Sequence, residues 1–169
     1  DFILDREEKS GRTQIAKDLT ADTRAQQAQG RLCIFGGDLN QPSHLDWTEE
    51  NRDLHRGFAV DWPVSRRMAE AGFTDTFRAL NPDVRRNEAL SWCVWATVPG
   101  GRYQTYTLQA RIDYIYLLGA RAVESRYLGT HKALFPSDST PTSCCRTRPD
   151  PDLSAAHGFN RNLTHVNGK

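Results

Sequence analysis

The chain has 169 residues, a net charge of +1, 38% hydrophobic residues and a mean hydropathy of −0.65. That length suits one domain with a sizeable core and excludes two ordinary ones. Acids and bases are interspersed, so no field-driven affinity for nucleic acid or membrane follows, and no run of about eighteen apolar residues is present to form a transmembrane helix.

The opening, "DFILDREEKS", has neither an initiator Met nor a charged-then-apolar signal segment, which predicts a fragment or a processed product. "DFILD" has the pattern of the tail of a strand. Gly11 to Gln29 predicts a polar helix with Ile15, Leu19 and several alanines on a weak apolar side, ended by Gly30. Arg31 to Gly36 predicts a short buried strand. "QPSHLDWTEENRDLHRGFAVDWP" is a long connection with a helical turn expected after Ser43. Pro63 then opens a helix whose Val64, Met68 and Ala71 share a face and whose end is Gly72. Phe73, Phe77 and Leu80 continue the burial.

Period-two alternation marks "ALSWCVWATV" and "RIDYIYLLG" as strands, with "PGGRYQTYTLQA" between them as a turn or lid. A further strand is expected near "SRYLG". Beyond Pro141 the period is lost, so residues 1–140 are taken as the domain and 141–169 as a disordered tail. Cys33 and Cys93 are isolated and Cys144-Cys145 are adjacent, which is no zinc-site spacing. Asn162-Leu163-Thr164 fits a glycosylation sequon, a triplet that also arises by chance.

Chemistry concentrates at three places. The apolar run Leu32 to Phe35 breaks into Gly36-Gly37 and delivers Asp38 and Asn40, which at i and i+2 of an extended chain face the same way. A carboxylate there can ligate a hard cation or take a proton, and the amide offers both donors and an acceptor. An Asx-turn at the strand end is the plainer use of the same residues. Asp113 sits at the centre of an apolar strand, where an acid costs several kcal/mol unless paired. That partner is expected to come from elsewhere in the chain, a histidine or a metal. Ser137-Asp138 places one more acid where a strand should begin.

In this order, "GDLN" (Gly37 to Asn40), "SWCVW" (Ser91 to Trp95), "RIDYI" (Arg111 to Ile115) and "SDS" (Ser137 to Ser139) resemble the second half of the endonuclease/exonuclease/phosphatase superfamily, the DNase-I-like metal-dependent phosphoesterases. The resemblance covers roughly residues 10 to 140. It implies the C-terminal half of a four-layer α/β sandwich, Mg2+ (or Mn2+) as cofactor, and a phosphoester substrate: nucleic acid, a phospholipid head group or a small phosphodiester. Near-neutral charge argues against tight backbone-driven DNA binding. A monomer is expected where the chain folds.

Carried over residue by residue, Asp38 acts on the attacking water, Asn40 contacts the scissile phosphate or fixes the metal, Asp113 orients a catalytic imidazole, and Asp138 ligates the metal. Trp92 and Trp95 lie where the family shapes its cleft with an aromatic strand, although core packing explains either equally well. His44 and Asp46 are placed at the cleft rim, a solvated loop position being the plainer use of the histidine. Two departures stand out. The family's upstream metal-binding Glu has no counterpart, and Ser139 stands where its catalytic histidine belongs. A two-base slip suffices to turn one possible coding of Ser139 to Cys145 into His-Thr-Asp-Leu-Val-Leu, so the tail is expected to be frame-shifted; resequencing that shows no such frame would dismiss the idea.

Overall fold

The computed structural model describes residues 2–92, 110–128 and 142–149. Its elements run α1 (Phe2–Lys9), α2 (Arg12–Gln27), β1 (Cys33–Asp38), a 3-10 helix (Glu49–His55), α3 (Pro63–Glu70), β2 (Thr74–Asp75), α4 (Thr76–Leu80), β3 (Asp113–Leu118), β4 (Ala120–Leu128) and β5 (Thr142–Pro149). The fold is mixed α/β, with an antiparallel three-stranded sheet ordered β1-β3-β2 and an antiparallel β4-β5 pair.

β3 is the middle strand because its alternation is nearly all apolar. Tyr114, Tyr116 and Leu118 face the main core with Cys33, Met68 and Phe73, and Leu117 is buried as well. Strand residues that alternate this cleanly fix their own register, since a one-residue slip would expose all of them. α2 lies against α3 through small residues: Ala16, Thr20 and Thr23 are its buried positions. The two threonine hydroxyls donate back to Ala16 O and Leu19 O at 2.8 and 3.0 Å, which keeps them satisfied inside. α3 starts at Pro63, and Val64 N donates to the Gln41 side chain at 2.7 Å, so a residue of the preceding loop caps it. Gly72, at φ +89°, ends that segment where a Cβ would come within 3.2 Å of Leu118 Cδ1.

Two expectations change. "DFILD" is helical: Ile3 and Leu4 pack on Trp47, Val60 and Trp62, and Lys9 pairs with Asp5 one turn back at 2.8 Å. The tail expected from residue 141 is not structureless throughout, because Thr142–Pro149 pairs with β4 from Leu128↔Thr142 to Ala120↔Pro149. Its pattern is weak, but β4 supplies the ladder. Trp95, Asp138 and Ser139 lie outside the described residues.

Several apolar side chains remain wet, among them Ile34 at 47% exposure and Val123 at 37%. Exposed apolar surface drives association. The purified chain is therefore expected to self-associate or unfold over a broad range of urea. A sharp two-state transition from a clean monomer would contradict this.

Candidate functional site

At one end of the sheet the chain brings three distant segments together. Asp38 and Asp113 are register partners, the last residue of β1 facing the first of β3. Leu39 N donates to Ile112 O at 2.9 Å, which carries the pairing one step past the strand. From the third segment, Ser91 Oγ accepts from Ile112 N at 2.9 Å and Asp113 N at 3.1 Å. Asn40 follows in the left-handed region at φ +47°, a conformation Asn tolerates, and its N–H donates to Asp38 Oδ1 at 2.6 Å. The Asx-turn is thus present, and Asp38 and Asn40 are both exposed. Among the described residues a Cβ on Gly37 would meet nothing within 4 Å, and Gly36, Gly37 and Asp38 are exposed.

Asp113 is the unusual group. Its Oδ2 is buried and has no hydrogen-bond partner among the described residues. Burial pushes its carboxyl above the ordinary range, the facing Asp38 adds to that, and the Ser91 hydroxyl pulls the other way. A raised acid favours folding while it is protonated, and that contribution is lost as pH climbs through its folded pKa. Asp113→Asn, always neutral, is therefore expected to be more stable than the parent at neutral pH. Relief of opposed like charges across the strand pair is worth roughly 0.2 to 1 kcal/mol. The advantage should shrink on acidification into the carboxylate range. Urea midpoints at the two pH values check it; a variant less stable at neutral pH would show that the carboxylate has an ionic partner.

The remaining expected site residues fall elsewhere. Trp92 forms an isolated bridge with Ala110 beside this end of the sheet and is 39% exposed. His44 is not at a rim. It is buried, with Nδ1 2.9 Å from Ser65 Oγ, and the same hydroxyl accepts its backbone N–H at 2.8 Å. Burial, then Arg66, lowers its pKa below the ordinary histidine value. Asp46 is interior too, for a reason the sequence reading missed. Its Oδ1 accepts from Arg78 Nε at 2.8 Å and its Oδ2 from Arg111 Nε at 2.9 Å, while Arg111 Nη2 reaches Asp75 at 2.7 Å. Burial alone would push Arg111 down, but Asp46 and Asp75 override it and hold it above the ordinary value.

This buried Asp46–Arg78–Arg111–Asp75 network fastens the loop after Asn40 to the start of β3. Tyr114 adds to it, its hydroxyl contacting Gln41 O at 2.9 Å and Arg111 O at 2.6 Å. Asp38, Asn40 and Asp113 are thus held by a scaffold on both sides.

Over 90 residues the chain is 37% identical to an uncharacterized protein of Caenorhabditis elegans, F14F9.5; the match covers 51% of this chain and 28% of the worm protein. No family model and no solved structure matches.

Hard-oxygen donors of the kind magnesium or manganese prefers are present in Asp38, Asn40 and Asp113 Oδ2, the last without a partner among the described residues. Among the described residues no group of three His, Cys, Asp or Glu side chains is placed to hold a metal ion. The described donors therefore fit part of such a shell. Among the described residues no helix is long and apolar enough to cross a membrane.

A signal for the buried network was present. Three of its four members sit between apolar neighbours, in Leu45-Asp46-Trp47, Phe77-Arg78-Ala79 and Ala110-Arg111-Ile112, and charges in such settings must pair; Asp75, between two threonines, carries no such signal.

Proposed function

We propose that the chain is the C-terminal half of a DNase-I-like, four-layer phosphoesterase domain that cleaves phosphoester bonds with a divalent cation. The observation that supports this reading is the convergence of "GDLN", Ser91 and "RIDYI" at one sheet end, with Asp38 facing Asp113. Asp38 accepts the proton of, or aligns, the attacking water; Asn40 donates its amide to a phosphoryl oxygen; Asp113 would orient a catalytic imidazole, which Ser139 does not supply. Asp38 and Asn40, with Asp138, would hold the magnesium ion. When bound, that ion supplies polarisation of the phosphoryl group and offsets charge on the leaving oxygen.

A second reading has its own support. Ser139 occupies the histidine position, so a catalytically silent homologue that still binds phosphate is the alternative. Titration of methyl phosphate into the chain with excess magnesium, followed at the Asn40 amide by NMR, and turnover of bis(4-nitrophenyl) phosphate separate the two. Magnesium-dependent shifts with turnover lost in Asp38→Ala support the enzyme. Shifts without turnover favour the silent homologue. Neither shifts nor turnover would remove the phosphoesterase reading.

A further inference from the structure

We infer that a groove between α2, β1 and α3 is a subsite for one aromatic or similarly compact apolar group of the phosphoester; this rests on the functional reading above. Asp38, Asn40 and Arg12 are its polar lining. Its walls are Ile15, Leu19, Phe35 and Leu39, and its floor is Val64 and Met68. The floor is closed, at 2% and 0% exposure, whereas Ile15 stands 67% exposed on the wall. Those walls carry apolar surface left in water that a ligand of the same character would cover, at about 25 cal/mol per Å².

Size selects the occupant. The groove, open on one side, has a volume of ≈ 160 Å³, and an apolar cavity of roughly 150 Å³ accommodates benzene. That is one ring or a short branched chain, too little for the face of a helix or a long acyl tail. Polarity selects its orientation. The polar lining combines Asp38 and Asn40 with Arg12, whose guanidinium Glu7 fixes in place through contacts of 3.0 and 3.1 Å. Glu7 is itself held by Gln41 Nε2 at 2.7 Å. A ligand with an apolar ring on the walls and a phosphoryl group on the polar lining satisfies both. An apolar body with few convergent polar groups is the usual make-up of a small-molecule site.

The chain has a single methionine, Met68, on the groove floor, so methyl-labelled methionine gives one reporter signal. Phenyl phosphate, methyl phosphate and benzyl alcohol are titrated separately into the full chain with excess magnesium, following that methyl and the Asn40 amide. Phenyl phosphate is expected to shift both signals, methyl phosphate Asn40 alone, and benzyl alcohol Met68 alone. Ile15→Gln, at an exposed position outside the proposed catalytic groups, should weaken phenyl phosphate binding about three- to tenfold, with the remaining amide spectrum unchanged. If phenyl phosphate shifts Asn40 but leaves Met68 still, or Ile15→Gln leaves affinity unchanged, the subsite is wrong and the phosphoester reading stands. If phenyl phosphate and benzyl alcohol both shift Met68 with equal affinity and Asn40 never responds, the apolar subsite is upheld and the phosphoester reading falls.

Discussion

Replacing Arg111 by Met is expected to destabilise the chain by about 3 to 5 kcal/mol, the cost of leaving a buried charge without its partner. Native stabilities are of order 5 to 15 kcal/mol, so a large share of the variant should be unfolded at room temperature. The reason is geometric. Arg111 is 2% exposed and binds both oxygens of Asp46, at 2.9 and 3.1 Å, while reaching Asp75 at 2.7 Å. Its guanidinium also lies 4.7 Å from the Tyr114 ring centroid. Asp46 keeps Arg78 after the substitution, but Asp75 keeps only the Phe77 and Arg78 N–H groups that it caps at the start of α4. Arg111→Lys should lose most of the same stability, because an ammonium cannot span two carboxylates as the planar fork does. The double variant Arg111→Met/Asp75→Asn should recover more than half, since the Asn oxygen still caps α4 and no charge is stranded. Urea midpoints of the three variants test this. Equal losses in the single and double variants would mean that packing on Tyr114, and not charge, is what Arg111 supplies.

Legibility from sequence followed locality. β1 and β3 were readable because alternation and glycine bounds are local signals, and α2 and α3 because Gly30, Pro63 and Gly72 punctuate them. α1 was misread: "FIL" has strand propensity, but its neighbours are charged at helical spacing and its apolar pair meets Trp47 and Trp62. β5 was missed because its ladder comes from β4, a tertiary contribution that its own composition does not reveal. The candidate site divides the same way. Asp38 with Asn40 was visible as spacing. That Asp113 stands opposite Asp38 is a matter of register between strands 75 residues apart, counting from 38 to 113. His44 and Asp46 went to the rim in the reading because a loop is ordinarily solvated; here Ser65, Arg78 and Arg111 draw that loop inward.

Ser139→His is expected to raise the turnover of bis(4-nitrophenyl) phosphate in excess magnesium by about 10² to 10⁴, the usual contribution of a positioned general acid or base. A serine hydroxyl holds its proton too tightly to serve at neutral pH, whereas an imidazole titrates near that range. The expectation draws on Asp113. Its Oδ2 is buried and unpartnered among the described residues, and burial followed by the facing Asp38 keeps the carboxyl above its ordinary range. An imidazole N–H donated to that oxygen would fill the vacant hydrogen bond, lower the carboxyl's pKa and fix the ring's tautomer. Two controls separate chemistry from improved folding. In the Ser139→His background, Asp113→Asn should forfeit most of the gain and no longer raise stability at neutral pH, because the imidazole has already relieved the carboxyl, and Asp38→Ala should abolish turnover while the Asn40 N–H loses its 2.6 Å acceptor. A histidine that adds no rate, with methyl phosphate still shifting Asn40, would assign the chain to the silent homologue. A rate gain that survives Asp113→Asn undiminished would break the link between the buried carboxyl and the imidazole on which this prediction is built.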